Sequence, residues 1–110
     1  MEKETAVQAL TALAQETRLD VYRFLVQVGR NGVSAGDIGR LFDLPPATLS
    51  FHLKELRNAG LVSCRREGRM LFYTADFGGM DALMQYLHAN CCTGPDNACA
   101  GEAAMEKEGA

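Results

Sequence analysis

Apolar residues recur at helical spacing along most of the chain, and this pattern predicts five helices. In the fourth of these, Leu49, Leu53 and Leu56 form one apolar face, so its polar side chains are left for the other faces. Ser34 is placed to cap the third helix, and Gly60 is placed to end the fourth. The predicted helices are residues 3–14, Glu16–Val28, Ala35–Phe42, Pro46–Ala59 and Gly79–Asn90.

The same spacing assigns a buried face to the other helices. A chain of 110 residues can bury one modest core around such faces. The predicted core positions are Ala6, Val7, Leu10 and Leu13 in the first helix, Leu19, Val21, Tyr22, Leu25 and Val26 in the second, Ile38, Leu41 and Phe42 in the third, and Met80, Leu83, Met84 and Leu87 in the last.

Between the fourth and fifth helices, the pattern changes to β-forming residues. It predicts strands over 61–66 and 69–75, joined by a tight turn at Glu67-Gly68. A short helix, a turn with two prolines, a polar-faced helix and a basic hairpin together predict a winged helix-turn-helix. The predicted fold class is therefore mainly α with a β-hairpin wing (α+β), over residues 1–90. Residues 91–110 are expected to be a flexible tail.

The distribution of charge along the chain indicates more about binding partners than the net charge does. The formal net charge of −3 argues against nucleic acid, but residues 40–75 carry six basic and three acidic side chains. Residues 76–110 carry one basic and six acidic side chains. A local basic surface matters more to phosphate groups than the total does, so the middle of the chain is the candidate DNA-binding part.

Short polar side chains near the start of the fourth helix can contact base edges in a major groove. Basic side chains that flank the hairpin turn can contact phosphates or the minor groove. The predicted DNA-binding residues are Thr48, Ser50, His52, Lys54, Arg65, Arg66 and Arg69. For His52 the alternative is a solvated polar side chain, and for Arg18 both a phosphate contact and a structural ion pair stay open.

Three stretches of the chain carry a family resemblance. They are Leu13-Ala-Gln-Glu-Thr-Arg-Leu19, Ala47-Thr-Leu-Ser-Phe-His-Leu-Lys-Glu-Leu-Arg-Asn-Ala-Gly-Leu-Val62, and Arg66-Glu-Gly-Arg69 with Phe72-Tyr73. Over residues 8–90 the chain resembles the ArsR/SmtB family of metal-responsive repressors. The resemblance implies a homodimer built from the first and last helices, binding to an inverted repeat of double-stranded operator DNA, and release by a metal or metalloid. Phe51 departs from the polar or basic residue that relatives often carry, which is expected to remove one DNA contact.

Three of the four cysteines, Cys91, Cys92 and Cys99, lie within nine residues of a loop rich in turn-forming residues. The family's arsenic site has no counterpart here, because residues 36–41 contain no cysteine. Its zinc site on the last helix would find Asp81 and His88 but no second histidine. Three converging thiolates suit a thiophilic trivalent metalloid, so we expect arsenite, As(III), or antimonite, Sb(III), as the effector.

Other interpretations of the thiols stay open. Methylarsenite needs two thiols, and Zn or Cd could take a Cys₃His site with His88. A redox sensor would close a disulfide between Cys99 and one of the adjacent pair. Cys64, on the first wing strand, is expected to be structural.

Two further classes of protein are not expected, namely enzymes and membrane or secreted proteins. The sequence contains no Cys-x-x-Cys pair, phosphate-binding glycine loop or activated nucleophile, so an enzyme is not predicted. No apolar run approaches the roughly 20 residues of a membrane span, and the N-terminus lacks the layout of a secretory signal. We therefore expect a cytoplasmic protein without membrane contact, in a compartment where thiols stay reduced.

Overall fold

The computed structural model describes residues 1–94, which form five helices and a three-stranded antiparallel sheet. The predicted winged helix-turn-helix fold is confirmed. In chain order the elements are α1 Lys3–Leu13, α2 Glu16–Val28, β1 Val33–Ser34, α3 Ala35–Phe42, α4 Pro46–Asn58, β2 Val62–Glu67, β3 Met70–Ala75 and α5 Phe77–His88. Among these residues, no helix has both the length and the apolarity needed to cross a bilayer.

The core is built around α4. Its predicted apolar face, Leu49, Leu53 and Leu56, is at most 5% exposed. This face packs against α1, α2, α3 and β2. Complete burial of a leucine side chain contributes about 1.5–3 kcal/mol, so these three leucines are a main determinant of where α4 lies.

The sheet contains one strand that the sequence pattern did not indicate. β1 pairs with β3 through Val33↔Tyr73 and Ser34↔Phe72, which gives the strand order β1-β3-β2. A strand of two residues is too short to show an alternating pattern. The wing turn also differs from the predicted Glu67-Gly68, because Glu67 pairs with Met70 and leaves Gly68 and Arg69 as the turn.

Local capping sets where the helices begin and end. The Ser34 hydroxyl accepts a hydrogen bond from the Asp37 amide at 3.2 Å, as expected of an N-cap. Gly60 adopts φ +78° after α4, and the Leu61 amide donates to the Leu56 carbonyl at 3.0 Å. The Asp76 side chain caps α5, which therefore begins at Phe77 instead of the predicted Gly79.

Several predicted core positions face outward instead. On α1, Val7 and Leu10 are 54% and 43% exposed, and on α5, Met84 and Leu87 are 52% and 53% exposed. α1 packs on α2 and α4 through Ala6, Ala9 and Ala12. Since α1 and α5 also contact each other, they form a shared outer face with exposed apolar residues, which we call the α1/α5 face. Leu41 on α3 is likewise 58% exposed, so its predicted burial is wrong as well.

The end of α4 touches the start of α5 without intervening side chains. A Cβ atom added to Gly79 would overlap the carbonyl oxygen of Gly60. The Asp76 amide also donates to the Leu61 carbonyl at 2.8 Å. Gly79 is thus required by a close backbone approach, and this approach fixes α5 against the end of α4.

Replacing Gly79 with Ala should therefore destabilise the fold by about 1–3 kcal/mol, because the added methyl group meets a backbone carbonyl that cannot rotate away. Gly78→Ala is the matched control. Its Cβ would meet Asp76 Oδ1 at 3.4 Å, an ordinary contact, and alanine favours helix formation. Urea unfolding of both variants measures the difference, and equal stability of the two would refute the close approach.

Candidate nucleic-acid interface

α4 presents a polar face opposite its buried leucines. Thr48, Ser50 and Lys54, all predicted to bind DNA, are exposed. Pro46 occupies the first turn of the helix, where its missing N–H has no cost, so the proline-bearing turn leads directly into the exposed face. The structure thus leaves these three side chains accessible to a duplex, and their contact with DNA stays a prediction.

His52 is placed differently from the expectation. The residue is only 9% exposed, and its Nδ1 lies 3.1 Å from Nη1 of Arg18. At this distance the neutral ring accepts a hydrogen bond from the guanidinium through Nδ1. The ring is part of the packing between α4 and α2, so it is not the solvated side chain of the alternative interpretation, and its contact with DNA stays a prediction.

Arg18 is the partner that holds His52. Its Nε donates to the carbonyl of Ala12 at 2.8 Å, near the end of α1. The guanidinium carbon also lies 6.0 Å from the centroid of the Phe51 ring. Arg18 therefore joins α1, α2 and α4. Of its two open interpretations, the structure supports a structural role, although among the described residues its partners are a carbonyl and a ring and not a carboxylate.

The three wing arginines differ in their surroundings. Arg65 forms an ion pair with Glu67, with Nε to Oε2 at 2.6 Å, and donates to the carbonyl of Asn31 at 2.9 Å. Its guanidinium carbon lies 5.1 Å from the Phe72 ring centroid. Arg66 and Arg69 are exposed and form no salt bridge within residues 1–94. Arg65 is thus committed to internal contacts, whereas Arg66 and Arg69 have their charges available to phosphate.

A cleft of about 350 Å³ lies between the start of α3 and the wing. Arg40 and Arg69 line it, together with the apolar Met70 and Leu71 at the wing tip. Arg40 also forms an ion pair with Asp37, which partly neutralises it. The cleft extends the basic surface from the wing to α3.

The adjacent cysteines Cys91 and Cys92 lie just beyond α5. The Cys91 amide donates to the His88 carbonyl at 3.0 Å, and Cys92 adopts a left-handed backbone with φ +65°. This turn brings the Sγ atoms of Cys91 and Cys92 to 3.1 Å from each other, on an exposed surface. Cys99, the third predicted ligand, lies outside the described residues. Within residues 1–94, no group of three or more His, Cys, Asp or Glu side chains is arranged to hold a metal ion.

Cys64 and Tyr73 form a cross-strand pair inside the wing. Cys64 is half-buried. Burial, followed by a hydrogen bond to Cys64, raises the pKa of the Tyr73 hydroxyl. The thiol is therefore engaged in the packing of the sheet, which agrees with the expected structural role.

Phe51 is a large apolar residue on the exposed side of α4. It is 55% exposed on α4, although phenylalanine is usually buried. The available signal was its spacing, since it lies three residues from both Thr48 and Lys54 and so shares their side of the helix.

Residues 13–65 match the family described as a helix-turn-helix domain. The chain is 36% identical over 94 residues to the transcriptional activator HlyU of Vibrio cholerae, covering 84% of each chain. It is 33% identical over 87 residues to the putative arsenical resistance operon repressor ArsR of Halobacterium salinarum, covering 79% of this chain and 66% of that protein.

Solved structures of transcriptional regulators have the same fold as this chain. HlyU from Vibrio cholerae superposes with a TM-score of 0.64 over 84% of this chain and 99% of that one, at 36% identity. A homodimeric winged helix-turn-helix DNA-binding domain from Mycobacterium bovis, described as a possible ArsR-family regulator, superposes with a TM-score of 0.61. It covers 80% of this chain and 86% of that one at 23% identity, so it supports the fold alone. The matched proteins are transcriptional regulators, which confirms that the chain is a regulator and not an enzyme.

The buried histidine generates a pH prediction. Burial and, to a lesser degree, the Arg18 guanidinium lower the pKa of His52 below its ordinary value of 6.5. As the pH falls below about 6.5, the unfolded chain therefore takes up a proton at this residue before the folded chain does, and the native state loses stability. In His52→Gln the free energy of unfolding should fall less between about pH 7.5 and pH 5.5 than in the wild type, as measured by urea titration.

His88→Gln is the matched control, because it removes the other histidine of the chain at the exposed end of α5. If the extra pH dependence disappeared in His88→Gln and persisted in His52→Gln, the assignment to the Arg18–His52 contact would be wrong.

Proposed function

Because the chain belongs to the ArsR/SmtB family of winged helix-turn-helix transcriptional regulators, we propose that it is a repressor released from operator DNA by trivalent arsenic. The observation that carries the proposal is the pair of adjacent, exposed cysteines Cys91 and Cys92, whose sulfur atoms lie 3.1 Å apart just beyond α5. The protein would act in the cytoplasm, where thiols are kept reduced.

Soft sulfur ligands support a trivalent metalloid. The two adjacent cysteines place their sulfur atoms 3.1 Å apart on an exposed surface, within reach of one bound atom. Cys99 would supply the third thiolate. Arsenite fits such a soft set of sulfur ligands better than a hard cation would, and antimonite or methylarsenite would share the site.

A homodimer is the second part of the proposal. The α1/α5 face exposes Val7, Leu10, Met84 and Leu87, which a second copy of the chain would cover. A two-fold axis through this face would present two copies of α4 to the two halves of an inverted repeat. The Mycobacterium bovis domain with the same fold is described as homodimeric, which supports this arrangement.

Contacts within the chain connect the thiols to the DNA-binding surface. Cys91 follows directly on α5, and the start of α5 lies against the end of α4 through Gly79 and Gly60. A metalloid that repositions the end of α5 would therefore act on the dimer face and on α4 together. Coupling of about 1–3 kcal/mol per effector, at two sites in a dimer, is enough for release.

Alternatives remain for the direction of regulation and for the effector. HlyU, the relative with 36% identity, is an activator, so the direction of regulation is part of the proposal. His88 is exposed four residues before Cys92, so a Cys₃His site for zinc or cadmium is the second candidate. A thiol redox sensor would use the same cysteines without any metal.

The direct test is DNA binding measured by fluorescence anisotropy, on a duplex selected from a random pool by the wild-type chain. We expect arsenite to weaken binding by at least about tenfold, in line with typical allosteric coupling. Cys91→Ser, Cys92→Ser and Cys99→Ser should each abolish the response, because each removes one thiolate. Cys64→Ser, which alters the wing thiol, is the matched control and should respond as the wild type does.

Release by zinc or cadmium that depends on His88 would replace arsenic with a Cys₃His metal site. Release by peroxide alone would indicate a redox sensor. Linkage gives an independent check, since operator DNA must weaken arsenite binding by the same factor. Equal arsenite affinity with and without DNA would refute the coupling.

The dimer is tested separately. Leu10→Asp and Leu87→Asp place a charge on the α1/α5 face and should shift the protein to monomers in analytical ultracentrifugation, because a buried unpaired carboxylate is costly. Leu41→Asp is the control, as Leu41 is a comparably exposed leucine on α3. A dimer that persists in both α1/α5 variants would place the interface elsewhere.

A further inference from the structure

Phe51 occupies the middle of the exposed face of α4. Helical spacing places Ala47, Lys54 and Asn58, all exposed, beside it on this face. The residue is 55% exposed, so a large apolar ring lies where the neighbouring surface is polar and basic. Burial in the core does not explain this ring.

The ring is supported by its neighbours. The Arg18 guanidinium carbon lies 6.0 Å from the ring centroid, and the His52 ring lies 5.8 Å away at an interplanar angle of 58°. Arg18 is itself fixed by the carbonyl of Ala12. The Phe51 ring is therefore backed by the Arg18–His52 contact, and its remaining surface faces solvent.

Phe51 also lies in the part of α4 that would face base edges in bound DNA. It is the sixth residue of α4, in the half of the helix that follows the proline turn. In helix-turn-helix proteins this half of the helix approaches the bases. Lys54 and Arg57, about one and two turns further along, supply positive charge for the flanking phosphates.

A phenyl ring cannot donate or accept the hydrogen bonds that distinguish most base edges. The apolar group that standard bases display in the major groove is the C5-methyl of thymine. We propose that Phe51 is a specificity-determining residue that contacts a thymine methyl group in each half of the operator. This replaces the expectation that Phe51 simply removes a DNA contact. It rests on the operator binding proposed above and is independent of the effector.

The test exchanges single thymines for uracil in the selected duplex, in both half-sites at once. Uracil pairs with adenine as thymine does but lacks the methyl group. For the wild-type chain we expect one position at which the exchange weakens binding by about fourfold per half-site, roughly 15-fold for the pair, which corresponds to burial of one methyl-sized group at each site. Because the contact is apolar, this ratio should not change with salt concentration.

Phe51→Ala should bind the thymine and uracil duplexes equally, and Phe51→Leu should keep part of the preference. Because the Phe51 side chain is more than half exposed, Phe51→Ala should remain folded, which thermal unfolding checks directly. Leu41→Ala removes a comparably exposed apolar side chain from α3 and should keep the wild-type ratio.

Two results would overturn the inference while leaving operator binding intact. One is a wild-type chain that binds all uracil duplexes as tightly as the thymine duplex. The other is the same thymine preference in Phe51→Ala as in the wild type, which would assign the methyl contact to another residue. Failure to select any duplex would overturn operator binding and this inference together.

Discussion

The guanidinium of Arg18 is the polar contact on which the position of α4 depends, beside the burial of Leu49, Leu53 and Leu56. It donates to the Ala12 carbonyl and to Nδ1 of His52, and it lies beside the Phe51 ring. One side chain on α2 therefore links the end of α1, a helix of the proposed dimer face, to the middle of α4. Loss of this side chain would leave a part-buried carbonyl and a part-buried ring nitrogen without their donor, at a cost of about 1–3 kcal/mol each. DNA-binding geometry in this fold is thus maintained by polar contacts as well as by the apolar core.

The sequence predicted most of the fold because the helices have regular apolar spacing. Leu49, Leu53 and Leu56 are buried as that spacing indicated. The errors have physical causes. Periodicity identifies an apolar face but not what covers it, so Leu10 and Leu87 appeared to be core residues although they face outward. β1 has two residues and no detectable period. His52 is a polar residue buried by a partner 34 positions earlier in the chain, a pairing that sequence spacing cannot show.

The residues of the candidate site could be predicted from the sequence, but the contacts that each of them makes could not. Clustered basic residues indicated the wing, yet the structure separates Arg65, which is held by Glu67 and the Asn31 carbonyl, from the exposed Arg66 and Arg69. Such differences depend on which side of a strand each residue occupies and on loops that approach it. For the thiols, the sequence showed proximity along the chain, and the left-handed turn at Cys92 explains how adjacent residues bring their sulfur atoms together.

The contact between Gly60 and Gly79 fixes α5 at its first turn, so any displacement of the helix is largest at its cysteine end. The Gly79 backbone lies directly against the Gly60 carbonyl, so a tilt of α5 would turn about this contact. From Gly79 to His88 the helix is about 14 Å long, at about 1.5 Å per residue. A tilt of about 6° at the glycine pivot would therefore displace the thiol end by about 1.5 Å. A displacement at the cysteine end of α5 would therefore change the angle between α5 and the end of α4.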